Sequence, residues 1–397
     1  MGIERPQTLT AAGEFDIVVV GGGPAGLIAA RDLASAGFSA AVLEEHESIG
    51  VPVHCTGVLG EAAFDELDLP RETILQTTHA ARFVSADGSS ILIDHERVRA
   101  AIIERGAFDA ALAASAVASG ARVQTGRPVH QIEVTDDGVS VVTAEGVFRA
   151  RACVIACGAN YRFNRQLGLG LPRVFVHSAQ CEVPFPATEH IEVYLGRQFA
   201  PGGFGWLVPF TRGGQPYARV GLMCDREPRG CFRSLSQRIS ERFGVPAEWG
   251  EPRSKILPLA PVARTWSRRV LAVGDAAGLV KATTGGGIYF GLLSGRIAAE
   301  VLASALREDR LDATALREYE RRWRQRLGPE IRAGLAFRKI AIRLNDRAID
   351  ALVELARVDG IVPLLKQTAN FNWHGAAAMS LLRHPSFRRV VFSSFWS

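Results

Sequence analysis

Missing features narrow this chain before any motif is considered. Its six cysteines include no C-x-x-C pair, so neither a disulfide framework nor a redox dithiol is expected, and a reducing cytoplasmic compartment is the simpler setting. No spacing of His and Cys suggests a metal site. No run approaches 18 uncharged apolar residues, and residues 1–14 carry neither an apolar core nor a cleavage pattern; neither a membrane span nor a secretory signal is expected. Internal repeats and low-complexity linkers are lacking too. Residues 1–254 contain no lysine, which leaves chemistry that needs an active-site lysine without a candidate before Lys255.

The chain has 397 residues, 47% of them hydrophobic, enough for a large core and two or three domains. Phe15 to Val20 is a β-branched run suited to a strand buried on both faces of a parallel sheet. Gly21, Gly23 and Gly26 follow as G-x-G-x-x-G, with Pro24 and Ala25 opening a helix that reaches Ala36. Gly21 and Gly23 permit a tight turn and close approach of backbone N–H groups to a pyrophosphate, which then sits on the positive end of the helix; Gly26 allows close helix–sheet packing. Ala40 to Leu43 supplies the next strand. Glu44 ends it, followed by Glu45, and a carboxylate there accepts hydrogen bonds from a ribose diol. Strand, triad, helix, strand and acid in that order predict a dinucleotide site.

A second pattern lies far downstream. Arg269 to Val273 reads as a buried strand, followed by Gly274-Asp275 and then by Gly285, Gly286, Gly287 and Ile288. A strand ending in Gly-Asp places a carboxylate where a ribityl chain would pass, and the glycines open a helix whose amide-lined N-terminus suits the electron-rich edge of a reduced isoalloxazine. The pairing of the two patterns predicts FAD.

On these segments the chain resembles the flavoproteins of the p-hydroxybenzoate hydroxylase fold, and within them the geranylgeranyl reductase family. Three further segments carry the resemblance. Pro52-Val53-His54-Cys55 is similar to the family's P-V-x-C segment, which implies that Cys55 lies near the flavin. Arg105, with Phe108, Asp109 and Leu112, is similar to an arginine-led helix that contacts FAD. Phe204-Gly205-Trp206-Leu207-Val208-Pro209 matches the position of an aromatic-x-Trp-x-x-Pro signature, which implies that Phe204, Trp206 and Pro209 line the substrate cavity. Phe204 replaces the family's usual tyrosine, Val208 its usual phenylalanine, and Cys157-Gly158 stands where many hydroxylase relatives have Asp-Gly. The expectation is an α/β protein: a Rossmann-like FAD-binding domain (15–60, 98–165 and 255–305), an antiparallel-sheet substrate domain (61–97 and 166–254) and a C-terminal helical region (306–397).

The function implied is reduction of C=C bonds in an isoprenoid chain by hydride transfer from reduced FAD, with Cys55 and, more weakly, His54 as proton-handling residues. The alternative is an FAD-dependent monooxygenase of a hydrophobic substrate. With only one G-x-G-x-x-G block, no separate NAD(P)H domain is expected; NADPH or NADH would visit the flavin transiently, or reduced ferredoxin would supply electrons. The net charge of +5 is uneven: residues 301–397 hold 17 Lys and Arg against 10 Asp and Glu. That excess falls on expected helices at 317–326 and 333–358. It fits a helical coat with a solvated arginine face, or a surface touching anionic lipid. Nucleic acid is not an expected partner, because the first 300 residues are slightly acidic and carry no binding motif.

Overall fold

A computed structural model describes residues 11–95, 98–358 and 361–394. Ile17, Val18, Val19 and Val20 are all buried, because Ala11–Val20 lies inside an eight-stranded sheet with parallel neighbours on both sides: Gly146–Ile155 on one and Ala40–Leu43 on the other. Val270–Ala272 and Arg122–Gln124 extend the parallel core outward. Val129–Val134 pairs antiparallel with Val139–Thr143 as a hairpin at the edge of this sheet. Helices Pro24–Ser35 and Ile288–Arg307 pack on one another, and Arg105–Ala118 packs on the first. Ile288–Arg307 is long and apolar enough to cross a membrane by length and composition, yet 72% of its apolar window is buried within the fold. It serves as the core helix that completes the nucleotide domain.

A second sheet of seven strands runs in the order Arg253–Pro258, Phe175–Pro184, Gln215–Cys224, Phe204–Arg212, Ile191–Tyr194, Ala80–Val84 and Ser90–Asp94. All its neighbours are antiparallel except Ile191–Tyr194 with Ala80–Val84, which run parallel and stitch the segment near residue 80 to the later one. The boundary drawn at 254/255 from sequence falls inside the strand Arg253–Pro258, so that strand belongs with this sheet. Period-two alternation gives the sheet two apolar faces. One packs Leu207, Val220 and Leu222 against Phe232, Leu235 and Ile239 of helix Pro228–Phe243. The other carries Phe204, Trp206 and Val208.

The C-terminal region is helical, as expected, but 333–358 forms two helices, Gly328–Ala341 and Asp346–Val358. The break has a local cause: the Asn345 side chain accepts a hydrogen bond from Ala348 N–H (2.9 Å) and caps the second helix. Ile361–Thr368, Gly375–Arg383 and Pro385–Ser394 follow.

Candidate functional site

Both glycine patterns open onto one cavity of about 1250 Å³, larger than the roughly 300–1,000 Å³ of an ordinary small-molecule site. At its first end, Gly21 has φ +112°, and a Cβ there would stand 2.4 Å from Ala156 O. A Cβ on Gly26 would meet Gly21 O at 2.3 Å, so this glycine fixes helix-to-sheet contact and does not line the cavity. Gly23, the helix N-cap, has nothing within 4 Å of a built Cβ and faces the cavity. No acidic residue occupies the first turn of Pro24–Ser35, leaving the helix's positive end and its free N–H groups for an anion. Glu44 is buried; its Oε2 accepts from Gly22 N–H (2.6 Å) and its Oε1 from His46 N–H (3.1 Å). The carboxylate is thus anchored at the end of its strand, with Glu45 exposed beside it on the cavity rim.

The second end is welded to the first. Gly295 of helix Ile288–Arg307 would place a Cβ 2.3 Å from Ala25 O, and Gly291 one 3.5 Å from Ala25 Cβ. Gly274 N–H donates to Ser294 Oγ (2.9 Å) on the same helix. Asp275 faces Lys255 Nζ at 3.5 Å, and its backbone carbonyl accepts from Tyr161 OH (2.8 Å). Gly287 caps the long helix, whose first turn is also free of acid; Gly285, Gly286, Gly287 and Ile288 line the cavity there. Two helix N-termini with no acid in their first turns, Glu44 at the edge of one and Asp275 beside the other, fit an adenine dinucleotide joined to a flavin: anions at the first, an electron-rich ring edge at the second.

Between the ends, Cys55 Sγ accepts from Gly57 N–H (3.4 Å) and lies against the Arg105 guanidinium. Arg105 is itself held by Asp109, at 2.9 and 2.7 Å to the two carboxylate oxygens. Burial, then the nearby cations Lys255 and Arg253 and the neighbouring His46, hold the His54 pKa below its ordinary value, so at neutral pH the imidazole is uncharged. Cys157, which also lines the cavity, is a protonated thiol; burial pushes it up to about 12.

The opposite wall is the sheet face with Phe204, Trp206 and Val208. Pro209 does not line the cavity: it pairs with Ala218 on the buried reverse face, since alternate residues of a strand point to opposite sides. The alternation assigns Val208 the place expected of Pro209. The C-terminal helices also do more than coat the core, because Phe337, Leu344, Leu352, Leu365, Leu381 and Phe387 continue the apolar wall.

A polar cluster that sequence reasoning missed sits where these helices meet the glycine loop. Lys281 is buried and donates to Phe371 O (2.9 Å), with its ammonium 4.9 Å from the Phe371 ring centroid. His374 Nε2–H donates to the same carbonyl (2.8 Å) and Nδ1 accepts from Thr283 OH (2.7 Å). Burial, then the Lys281 charge, hold this imidazole down at about 3. Burial likewise brings Lys281 down to about 8, with Glu330 opposing it. The folded protein therefore binds the Lys281 proton less tightly than the unfolded chain, and its stability rises with pH between about 8 and 10.5. Cofactor-free Lys281→Met should be more stable than the parent at pH 7 by on the order of 1–3 kcal/mol, and the gap should close toward pH 10.5. Denaturant melts at the two pH values check this; a gap that widens with pH would contradict it.

Residues 14–328 match the family model described as an FAD binding domain. The digeranylgeranylglycerophospholipid reductase 2 of Methanothermobacter thermautotrophicus is 33% identical, over 86% of this chain and 91% of that protein. The protein of the same name from Methanopyrus kandleri is 30% identical, over 89% and 93% respectively. A crystal structure of a geranylgeranyl bacteriochlorophyll reductase-like protein from Thermoplasma acidophilum superposes with a TM-score of 0.82 at 23% identity, covering 96% of this chain and 99% of that one. With both glycine patterns meeting in one cavity on this fold, the chain belongs to the FAD-binding-domain flavoproteins and, among them, to the geranylgeranyl reductase family of FAD-dependent oxidoreductases.

Proposed function

We propose that this protein saturates isolated C=C bonds of an isoprenoid chain. The observation that carries the reading is the continuous apolar wall, from Phe204, Trp206 and Val208 along the C-terminal helices, which opens on the glycines at 285–287. An isoprenoid offers no charge along its length, so shape and dryness must hold it. The names of the two relatives compared, 33% and 30% identical, favour reduction over oxygen insertion.

Bound FAD in its reduced form supplies a hydride, with nicotinamide dinucleotide or reduced ferredoxin as the proposed source of its electrons. The chain's own groups position and exclude. The aromatic wall fixes the alkene and keeps water out, so that a proton reaches only the carbon opposite the new C–H bond. Gly287 and Ile288 present the N-terminus of the long helix toward the flavin site, on a loop that Gly285 N–H closes by donating to Lys281 O (2.8 Å). The Cys55 thiol, beside the Arg105 cation, is the proposed proton-handling group, and neutral His54 is positioned to resupply it. The basic C-terminal region suits a cytoplasmic protein that touches anionic membrane to collect a lipid substrate.

Anaerobic incubation of the dithionite-reduced holoprotein with a panel of prenyl lipids, read by mass spectrometry, should give products heavier by about two hydrogens per bond reduced. In the same assay Cys55→Ala should keep its flavin and lose rate by about 10²-fold or more. Oxygen-dependent gain of an oxygen atom instead of hydrogens would overturn the reading, and a Cys55→Ala variant at parental rate would remove that thiol from it.

A further inference from the structure

Three arginines are buried among the described residues: Arg31, Arg219 and Arg338. Arg31 is paired with Asp32 at 2.9 Å and Arg219 with Glu182 at 3.0 Å. Arg338 is 9% exposed, yet among the described residues no carboxylate lies within 4.0 Å of it. Its Nη2 donates to the backbone carbonyl of Gly202, and the field of Asp225 reaches it without forming an ion pair. A buried guanidinium without a counter-ion is costly unless something else supplies the negative charge.

Its position says what that charge belongs to. Arg338 lines the large cavity. Gly334, one turn earlier on helix Gly328–Ala341, stands directly on the loop before the glycines, where a built Cβ would lie 3.3 Å from Ala282 Cβ and 3.5 Å from Thr283. Gly202 is two residues from Phe204, so Arg338 sits where the aromatic wall begins. Arg197 lines the same cavity from an exposed position, where its backbone N–H is tied to Asp346 Oδ1 (2.6 Å). The cavity thus has long apolar walls and two lining arginines, the deeper of them without a carboxylate within 4.0 Å among the described residues.

We propose that Arg338, assisted by Arg197 at the rim, binds the phosphate or diphosphate at the polar end of the isoprenoid substrate. This rests on the reductase reading above and deepens it, by naming the residues that would hold the anionic end of the substrate. A guanidinium gives a phosphate two parallel N–H donors and, in a desolvated site, a strong charge-assisted contact. A second source of the same chemistry is the phosphate of a visiting nicotinamide dinucleotide, and the experiment separates the two.

The holoprotein is reduced with dithionite, which removes any need for a dinucleotide, and turnover is measured anaerobically on geranylgeranyl diphosphate and on geranylgeraniol. For Arg338→Gln, the ratio of kcat/KM for the diphosphate to that for the alcohol should fall by about 10- to 100-fold, through KM. Arg338→Lys should recover part of that ratio, because it keeps the charge and loses the fork; it also carries the comparison if the Gln variant fails to retain flavin. An unchanged ratio with both substrates turned over overturns the assignment. So does an unchanged ratio accompanied by slower bleaching of the flavin by NADPH, which would place the nucleotide's phosphate at Arg338. Turnover by the parent protein of neither substrate and of no lipid in the prenyl panel overturns the reductase reading itself, and the head-group assignment with it.

Discussion

Gly23→Val should fold and yet emerge colourless, while Gly26→Val, three residues along the same helix, should fail to accumulate as folded protein. The two glycines face opposite ways. A Cβ on Gly23 meets nothing within 4 Å and projects into the cavity, and the residue's backbone (φ −79°, ψ 173°) is the extended conformation that a β-branched side chain adopts readily. The cost to the fold is therefore small, below about 1 kcal/mol. The isopropyl group would occupy the path by which a pyrophosphate approaches the helix N-terminus, so FAD affinity should drop by about 10²-fold or more. On Gly26 the same group would have to displace backbone, since Gly21 O stands 2.3 Å from the built Cβ and Ala156 Cβ 2.9 Å. Overpacking of that kind costs about 3 kcal/mol or more, a large share of an ordinary domain's stability. Circular dichroism melts and FAD titration separate the outcomes. A Gly23→Val protein that stays yellow at parental affinity would mean that the cofactor does not pass over this turn.

The contrast explains why the nucleotide domain was legible in the sequence. Its signals are local: a β-branched run, three glycines at fixed spacing and an acid at the end of the next strand each constrain the backbone within a few residues of themselves. The aromatic-x-Trp-x-x-Pro segment marked a stretch of cavity wall but was misleading as a list of lining residues. A motif records positions, whereas a strand alternates faces; Phe204 and Trp206 share the cavity side with Val208, and Pro209 goes with Ala218 behind it. The break between the two helices of 333–358 depended on Asn345 reaching forward to accept from Ala348 N–H, a signal weaker than the helical periodicity around it.

What could not be read was set by distance along the chain. Lys281 and His374 are separated by more than ninety residues and meet through a shared bond to Phe371 O, itself positioned by helices whose packing no local pattern encodes. Arg338 resembles any arginine on an amphipathic helix until the loop at Gly202 closes over it. The basic count for residues 301–397 was correct, but net charge does not say which arginine turns inward. The tail's apolar residues fitted a packed helical coat equally well; only the structure shows that part of that apolar stripe is left facing a cavity.

Trp206→Ala should lower kcat/KM for a prenyl substrate by about 10²-fold with flavin retained, and Pro209→Ala should leave it within about twofold. The indole is held in one orientation. Its Nε1–H donates to Gln180 Oε1 (3.1 Å), and the Thr56 hydroxyl donates to the same oxygen (2.7 Å), which ties the sheet to the loop after Cys55. Beneath it Gly221 has to be glycine, because a Cβ there would lie 2.7 Å from the ring. Phe204 meets its edge with ring centroids 5.9 Å apart. Truncation removes a large apolar surface from the wall opposite the glycines and leaves the Gln180 carbonyl exposed to a space that must stay dry; both effects weaken alkene positioning without touching either glycine pattern. Trp206→Phe keeps most of the wall and loses only the hydrogen bond, so it should fall between the two, near a tenfold loss. Pro209, on the reverse face with Ala218, contributes packing against the helix side and no cavity surface. If Pro209→Ala lost as much as Trp206→Ala, or Trp206→Ala turned over at the parental rate, the face of the sheet assigned to substrate would be the wrong one.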